Sequence, residues 1–404
     1  MYESLRSRVI PRLRYTQRII AAHPARFKVV ACGRRWGKTT LGMTMAVYRA
    51  LGGQRVWWVA PTYLMALHPW LTFKRRLADE WVSKTEYARH IELESGGSLT
   101  VKTADNPDGL RGVGLDFIVV DEAAFILEEV WTASLRPALS DRQGSALLIS
   151  TPHGRNWFYR AFQRGLDPLV PDWHSWRYPT LNNPLIRPQE IEDARALLPE
   201  RIFKQEYEAE FLPDGGEVFR RVREAATAPP DAHPISGHRY VMGVDFGRAH
   251  DFTALVVIDA DTRTMVALDR FNEVNWGLQR RRIAALARRW RVSDILAEAN
   301  AMGEPNIEAL RRAGLPVIAF TTTSTSKPPL IESLVLAIEN ADLRILPDPV
   351  LLAELEAYTY SVMPYSGRVR YQAPPGQHDD TVIALALAWR LASTPGLTLA
   401  VAEI

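Results

Sequence analysis

Residues 27–40 read FKVVACGRRWGKTT, and no other stretch of the 404-residue chain restricts its fold so tightly. An apolar, β-branched run leads into a short loop ending Gly-Lys-Thr, and a helical pattern starts near Thr39. Strand, tight loop and helix in that order present backbone N–H groups to an anion at the helix N-terminus. Gly37 lets the backbone close on phosphate oxygens, Lys38 neutralises β/γ charge, and Thr39 offers a hydroxyl to Mg²⁺. Gly33, Arg34, Arg35 and Thr40 complete the loop that would surround a nucleotide. The usual first glycine of such a loop falls at Cys32, with Gly33 one place later.

Three further runs, RVWWVAP (55–61), LDFIVVDEA (115–123) and SALLISTP (145–152), are continuously apolar and end in small or polar residues. Strands buried on both faces read this way, so the first half is expected to be α/β, a parallel sheet with helices around it. FIVVDEA ends in Asp121 and Glu122; after a phosphate loop, such a pair holds the metal shell and polarises the attacking water. Ser150 and Thr151, with Pro152, end the next strand, where they either sense the γ-phosphate or form an ordinary strand end with a cap. Gln17 lies ahead of the loop strand, as an amide for the adenine edge or as a solvated helix residue. Arg111, flanked by Gly109 and Gly112, is placed to stabilise transition-state charge, in cis or in a neighbour's site; Arg34 and Arg35 compete for that role.

The chain is too long for one ordinary core, and two domains are expected. With 47% hydrophobic and 24% charged residues it is not a disordered chain, and a formal charge of +3 permits a polyanionic partner. Its single cysteine, Cys32, excludes an internal disulfide or a Cys-rich zinc site and suits a reducing compartment. Arginines interrupt the amino-terminal segment and no run of about 18 apolar residues occurs, so neither an export signal nor a membrane span is expected. Residues 214–239, rich in Pro, Gly, Ala and charge, read as a linker between a first domain (1–213) and a second (240–404).

The second domain opens with strand patterns at 240–246, 253–259 and 264–270, separated by turn residues as in an antiparallel meander. A helical pattern at 278–291, a strand at 294–299 and an apolar helix at 379–392 follow. Asp245 ends the first strand, Glu298 ends the fourth, and Asp379 and Asp380 start the last helix; Asp251 begins the second strand. Carboxylates at adjacent strand ends and a facing helix start repel one another unless a divalent cation joins them. Two metals about 3.5–4 Å apart are the usual arrangement for cutting a phosphodiester. Residues 278–291, with Leu278, Ile283, Leu286 and Trp290 on one face, carry arginines that either bind a phosphate backbone or form a solvated face. Lys327 is a further cation placed to approach a scissile phosphate.

The series GRRWGKTT, FIVVDEA, ISTPHG, GVDFG, AEAN and QHDDTVIALALA resembles, in that order and over nearly the whole chain, the large terminase subunit of tailed bacteriophages. The resemblance implies a RecA-like, additional-strand P-loop ATPase domain followed by an RNase H-like nuclease domain. It implies an ATPase that drives double-stranded DNA into a procapsid and a metal-dependent endonuclease that cuts the concatemer. Lys38, Thr39, Asp121 and Glu122 match the nucleotide motifs, Ser150 and Thr151 the coupling motif, and Arg111 the trans-acting arginine finger. Asp245, Glu298 and Asp379 match the acidic triad, with Asp251 and Asp380 as auxiliaries; Glu298 stands where many members have aspartate. ATP and Mg²⁺, or Mn²⁺ at the nuclease site, are the cofactors implied. The partners implied are DNA, a portal protein, a small terminase subunit and other copies of the chain in a ring on the portal. The few residues after the last helix imply no long tail for the portal. The expected location is the host cytoplasm during assembly and not the mature virion. With no large exposed apolar patch evident, the isolated chain is expected to be a monomer. The other reading is a helicase-like or transposition-associated ATPase whose RNase H-like domain does not cut; a small-molecule kinase leaves the second acidic cluster unexplained.

Overall fold

The computed structural model describes residues 12–247, 252–300, 303–363 and 369–394. The chain divides into two units, and the main sequence boundary between them falls at Asp214 and Gly215.

The first unit is built on eight strands: β1 (Phe27–Cys32), β2 (Arg55–Ala60), β3 (Trp81–Thr85), β4 (His90–Leu93), β5 (Ser98–Thr103), β6 (Phe117–Asp121), β7 (Ser145–Ser150) and β8 (Trp173–Tyr178). Their order is β3-β4-β5-β2-β6-β7-β1-β8. The six strands from β5 to β8 pair in parallel, and β3 and β4 add an antiparallel edge. β7 lies between β1 and β6, so the strand ending in Ser150 separates the phosphate-loop strand from the strand ending in Asp121. That inserted strand is the feature of the additional-strand class. β1 and β6 are buried throughout, as continuous apolar runs require. On one face Leu41, Ala46 and Val47 of the helix Lys38–Leu51 pack with Val30, Val119 and Leu147. On the other, Phe158 and Phe162 of the helix Trp157–Arg164 pack with Val29, Ile118 and Leu148.

The second unit holds a three-stranded sheet, β9 (Gly215–Glu217), β15 (Thr359–Val362) and β16 (Val369–Gln372), and a five-stranded sheet. The latter comprises β10 (Tyr240–Asp245), β11 (Thr253–Asp259), β12 (Thr264–Phe271), β13 (Asp294–Glu298) and β14 (Val317–Phe320), in the order β12-β11-β10-β13-β14. β12, β11 and β10 are antiparallel and β10, β13 and β14 parallel, so Asp245 and Glu298 end neighbouring strands at the same edge. The helix Asp380–Ser393 packs on one face, and the helices Trp276–Trp290 and Gly303–Arg312 on the other. Gly243 in β10 permits the first contact: a Cβ there would lie 2.0 Å from the Ala384 carbonyl oxygen and 2.5 Å from Ala388 N.

The structure corrects several expectations. Residues 214–239 are not a free linker. β9 pairs with β15, and Val218, Phe219, Val222 and Ala225 are buried in the second core. The helix expected at 278–291 turns Ile283, Ala287 and Trp290 inward, while Leu278 is exposed and Gln279 buried in its place. An exposed apolar stripe does exist, formed by Tyr63, Leu64, Leu67 and Leu71 of the helix Tyr63–Arg76. Asp251 lies outside the described residues. No helix among the described residues is long and apolar enough to cross a membrane.

Candidate functional site

The phosphate loop leaves β1 and enters the helix Lys38–Leu51, whose N-cap Gly37 has φ +100°. Arg35 is also left-handed, at φ +60°. Left-handed residues within a short loop turn successive N–H groups towards one concavity, which is an anion site. Gly33 is needed for space, because a Cβ would lie 2.4 Å from the Tyr207 carbonyl oxygen and 2.5 Å from Thr180 Oγ1. Thr39 and Thr40 occupy the first turn of the helix. Arg34 is engaged away from the loop by Glu206, at 2.5 Å.

Lys38 Nζ donates to Thr151 Oγ1 at 3.0 Å and pairs with Glu122 Oε1 at 3.1 Å. The parallel order explains the meeting: β1, β7 and β6 end side by side, Glu122 and Thr151 directly follow β6 and β7, and the loop after β1 carries Lys38 back to them. Glu122 is left-handed, at φ +48°, a conformation that costs a side-chain-bearing residue roughly 1 kcal/mol and turns the carboxylate towards β7. Its Oε2 accepts from Ser150 Oγ at 3.4 Å and from Thr151 N at 3.5 Å. Ser150 Oγ also donates to the Thr151 carbonyl at 2.7 Å and accepts from Ala124 N. Asp121 is buried, and burial, then the neighbouring Glu122 charge, push its carboxyl up to about 7. The Asp121 and Glu122 carboxylates and a threonine hydroxyl are oxygen ligands of the kind Mg²⁺ takes, and Lys38 stands beside them as a cation for phosphate oxygens.

Gln17 is buried and not solvated. Its Nε2 donates to the Gly37 carbonyl at 2.9 Å and its Oε1 accepts from Arg14 N at 3.0 Å. Arg111 is exposed, directly after the turn Pro107–Leu110, and lies outside this hydrogen-bonded cluster.

In the second unit, Asp245 is buried and hydrogen-bonds Glu298. Burial, then Glu298, Asp380 and Asp379, raise its carboxyl well above the carboxylate range. Mutual repulsion of this kind is what a divalent cation relieves, and carboxylate oxygens are the ligands that Mg²⁺ and Mn²⁺ take. Asp379 is the N-cap of the helix Asp380–Ser393 but makes no side-chain cap bond. Glu354 takes that duty, accepting from Thr381 N at 2.9 Å and Thr381 Oγ1 at 2.5 Å. Asp379 Oδ2 instead meets Lys327 Nζ at 3.3 Å. Asp380 faces Arg270 Nη2 at 3.7 Å and His378 Nδ1 at 3.7 Å, and Arg270 Nη2 also pairs with Glu354 at 3.2 Å. Tyr358, fully buried, has its hydroxyl pushed above its ordinary value by burial and by Asp379. Sequence reasoning missed Arg270, Glu354 and Tyr358; a glutamate inside the apolar run VLLAELEAY was the available signal. A separate cluster, His238, Asp259 and Asp261, sits at the start of β10 and the end of β11. Its carboxylates accept from Arg239 N, Asp261 N and Thr262 N, as turn caps do.

Two family models match the chain: "Terminase large subunit, T4likevirus-type, N-terminal" over residues 30–225 and "Terminase RNaseH-like domain" over 242–390. The large terminase subunit of Thermus virus P23-45 is 30% identical over 93% of this chain and 86% of its own length. That of Escherichia phage T5 is 30% identical over 61% of this chain and 60% of its own. The crystal structure of a large terminase from a thermophilic bacteriophage shares the fold, with a TM-score of 0.59 at 13% identity over 93% of this chain and 98% of that one. Two matched domains in the order of the two acidic sites, and a relative aligned almost end to end, lead to one conclusion: the chain belongs to the terminase large subunit family, DNA-packaging ATPases that carry a cutting nuclease.

Proposed function

We propose that the first unit is the motor, with Lys38, Thr39, Asp121, Glu122, Ser150 and Thr151 at its ATP site. The second unit is the nuclease, with Asp245, Glu298, Asp379 and Asp380 at its centre. The observation that carries the motor reading is the double engagement of Lys38 by Glu122 and Thr151. A γ-phosphate entering the loop competes for Lys38 and releases Glu122 to polarise the attacking water. Thr151, which bonds both Lys38 and Glu122, and Ser150, which bonds Glu122, pass that exchange to β7. Mg²⁺ held through Thr39 and Asp121 would neutralise charge on the β- and γ-oxygens.

At the nuclease centre, divalent ions held by Asp245, Glu298 and Asp379 would activate water and stabilise the leaving oxygen. Lys327, 3.3 Å from Asp379, would be left as a cation for the scissile phosphate once that carboxylate held a metal. Arg270 keeps Asp380 oriented without adding a ligand. The exposed arginines Arg281, Arg288 and Arg289 offer a sequence-independent grip on double-stranded DNA. Arg111, exposed on its turn, acts as the finger in a neighbouring subunit's site, which requires a ring of copies on a portal, fed with DNA by a small terminase subunit. The work is done in the host cytoplasm during assembly.

Lys38→Ala separates the two activities. ATP turnover is lost, while metal-dependent nicking of plasmid stays within about twofold of wild type. Loss of both in a folded variant would contradict the assignment of independent sites to the two units.

A further inference from the structure

The phosphate loop is held from outside at four consecutive carbonyls. Thr180 Oγ1 donates to the carbonyl of Arg34 at 2.8 Å, and Asn183 Nδ2 to that of Arg35 at 2.7 Å. The Arg14 guanidinium donates to the carbonyl of Trp36, and Gln17 Nε2 to that of Gly37 at 2.9 Å. The donors come from two separate segments, the start of the helix Tyr15–Ala22 and the turn Thr180–Asn182 with Asn183 after it. Arg14 Nη1 joins the two by donating to Asn183 Oδ1 at 2.5 Å. The contact is close as well as polar: a Cβ on Gly37 would lie 2.7 Å from Arg14 Nη2 and 2.9 Å from Gln17 Nε2.

A loop that surrounds an anion has its N–H groups facing inward, and a carbonyl turned inward repels the phosphate oxygens. Trp36 N already donates to the Gly33 carbonyl at 3.3 Å, but binding these carbonyls outside the loop fixes the peptide planes that carry the N–H groups of Arg35, Gly37 and Lys38 before nucleotide arrives, and the ordering cost of binding falls. We propose that Arg14, Gln17, Thr180 and Asn183 form a carbonyl clamp that pre-forms the triphosphate site, and that Gln17 acts through the loop and not on the adenine edge. The proposal rests on the reading of residues 33–40 as a triphosphate loop. These four are positioning residues: each bonds the loop, and the loop bonds phosphate.

The two roles for Gln17 differ in what a ligand without a base reports. Binding of Mg-ATP, Mg-GTP and inorganic tripolyphosphate is measured by calorimetry on the full chain and on Gln17→Ala, Asn183→Ala and Lys38→Ala. The clamp predicts that Gln17→Ala weakens all three ligands by a similar factor, about fivefold for one lost hydrogen bond. Asn183→Ala, on the other side of the loop, shows the same pattern and stands in if the first variant does not fold. ATP weakened alone, with tripolyphosphate unchanged, makes Gln17 a base reader and overturns the clamp. All three ligands unchanged in both variants overturns it too. Tripolyphosphate binding by wild type that survives Lys38→Ala unaltered instead removes the loop from the phosphate site, and the clamp falls with it.

Discussion

Glu354 and Arg270 make the packing of the helix Asp380–Ser393 depend on a buried charge pair. Glu354 is 8% exposed; one of its oxygens caps the helix Asp380–Ser393 through Thr381 and the other pairs with Arg270 at 3.2 Å. Glu354→Ala removes the cap, worth about 1 kcal/mol. It also leaves the Arg270 guanidinium, beside the Phe252 ring, with Asp380 at 3.7 Å as its one remaining carboxylate partner among the described residues; breaking one partner of a buried pair costs roughly 3–5 kcal/mol, and the remaining carboxylate brings the loss to the lower end of that range. Hydrogen exchange of the amides in 380–393 reads this loss without assuming that the whole chain unfolds in one step. At about 1.4 kcal/mol per factor of ten, protection there falls roughly 10²–10⁴-fold. Arg270→Met costs a similar amount alone, because it leaves Glu354 unpaired. The double variant loses both charges together and recovers at least about 1 kcal/mol of the summed cost. Glu354→Gln keeps an acceptor for Thr381 and falls between. Additive single effects, or a Glu354→Ala loss below about 1 kcal/mol, would refute the coupled pair.

Two further substitutions test the nuclease unit. Gly243→Ala forces a methyl against the Ala384 carbonyl and should destabilise this unit by about 1–3 kcal/mol, seen as lost nicking at elevated temperature with ATP turnover retained. The His238 imidazole donates to Asp259 and has its pKa raised by that hydrogen bond first and by the Asp259 and Asp261 charges. Its stabilising effect is therefore full below the ordinary histidine value and lost as pH rises through the raised one. The melting temperature of His238→Ala should fall short of wild type more at pH 5.5 than at pH 9, and an equal deficit at both would contradict the ion pair.

The parts legible in the sequence are those where one residue type has one physical use. β1, β6 and β7 are buried on both faces, so their continuous apolar runs stand out, and the polar residues beyond them fall on the loop and at the strand ends. β3 is illegible because WVSKT lies on an exposed edge and carries no sustained apolar pattern. The segment after Asp214 reads as a linker because arginine and proline obscure Val218, Phe219, Val222 and Ala225, whose spacing of three to four residues marks a buried face. Gln17 resembles a solvated residue among arginines, yet those neighbours hold the loop through Arg14. Nothing local shows that Glu354 caps a helix 27 residues further on, since the capping partner is supplied by the tertiary fold.

The central claim is that one chain carries two separate active sites, and plasmid cleavage tests it most directly. Wild type, Asp245→Asn and Lys38→Ala are incubated with Mg²⁺ or Mn²⁺, with a chelator control, while ATP turnover is followed on the same preparations. The account predicts cleavage by wild type and Lys38→Ala, none by Asp245→Asn or with chelator, and undiminished ATP turnover by Asp245→Asn. Cleavage that persists in Asp245→Asn, or a folded wild type that hydrolyses ATP and never cuts, would contradict it.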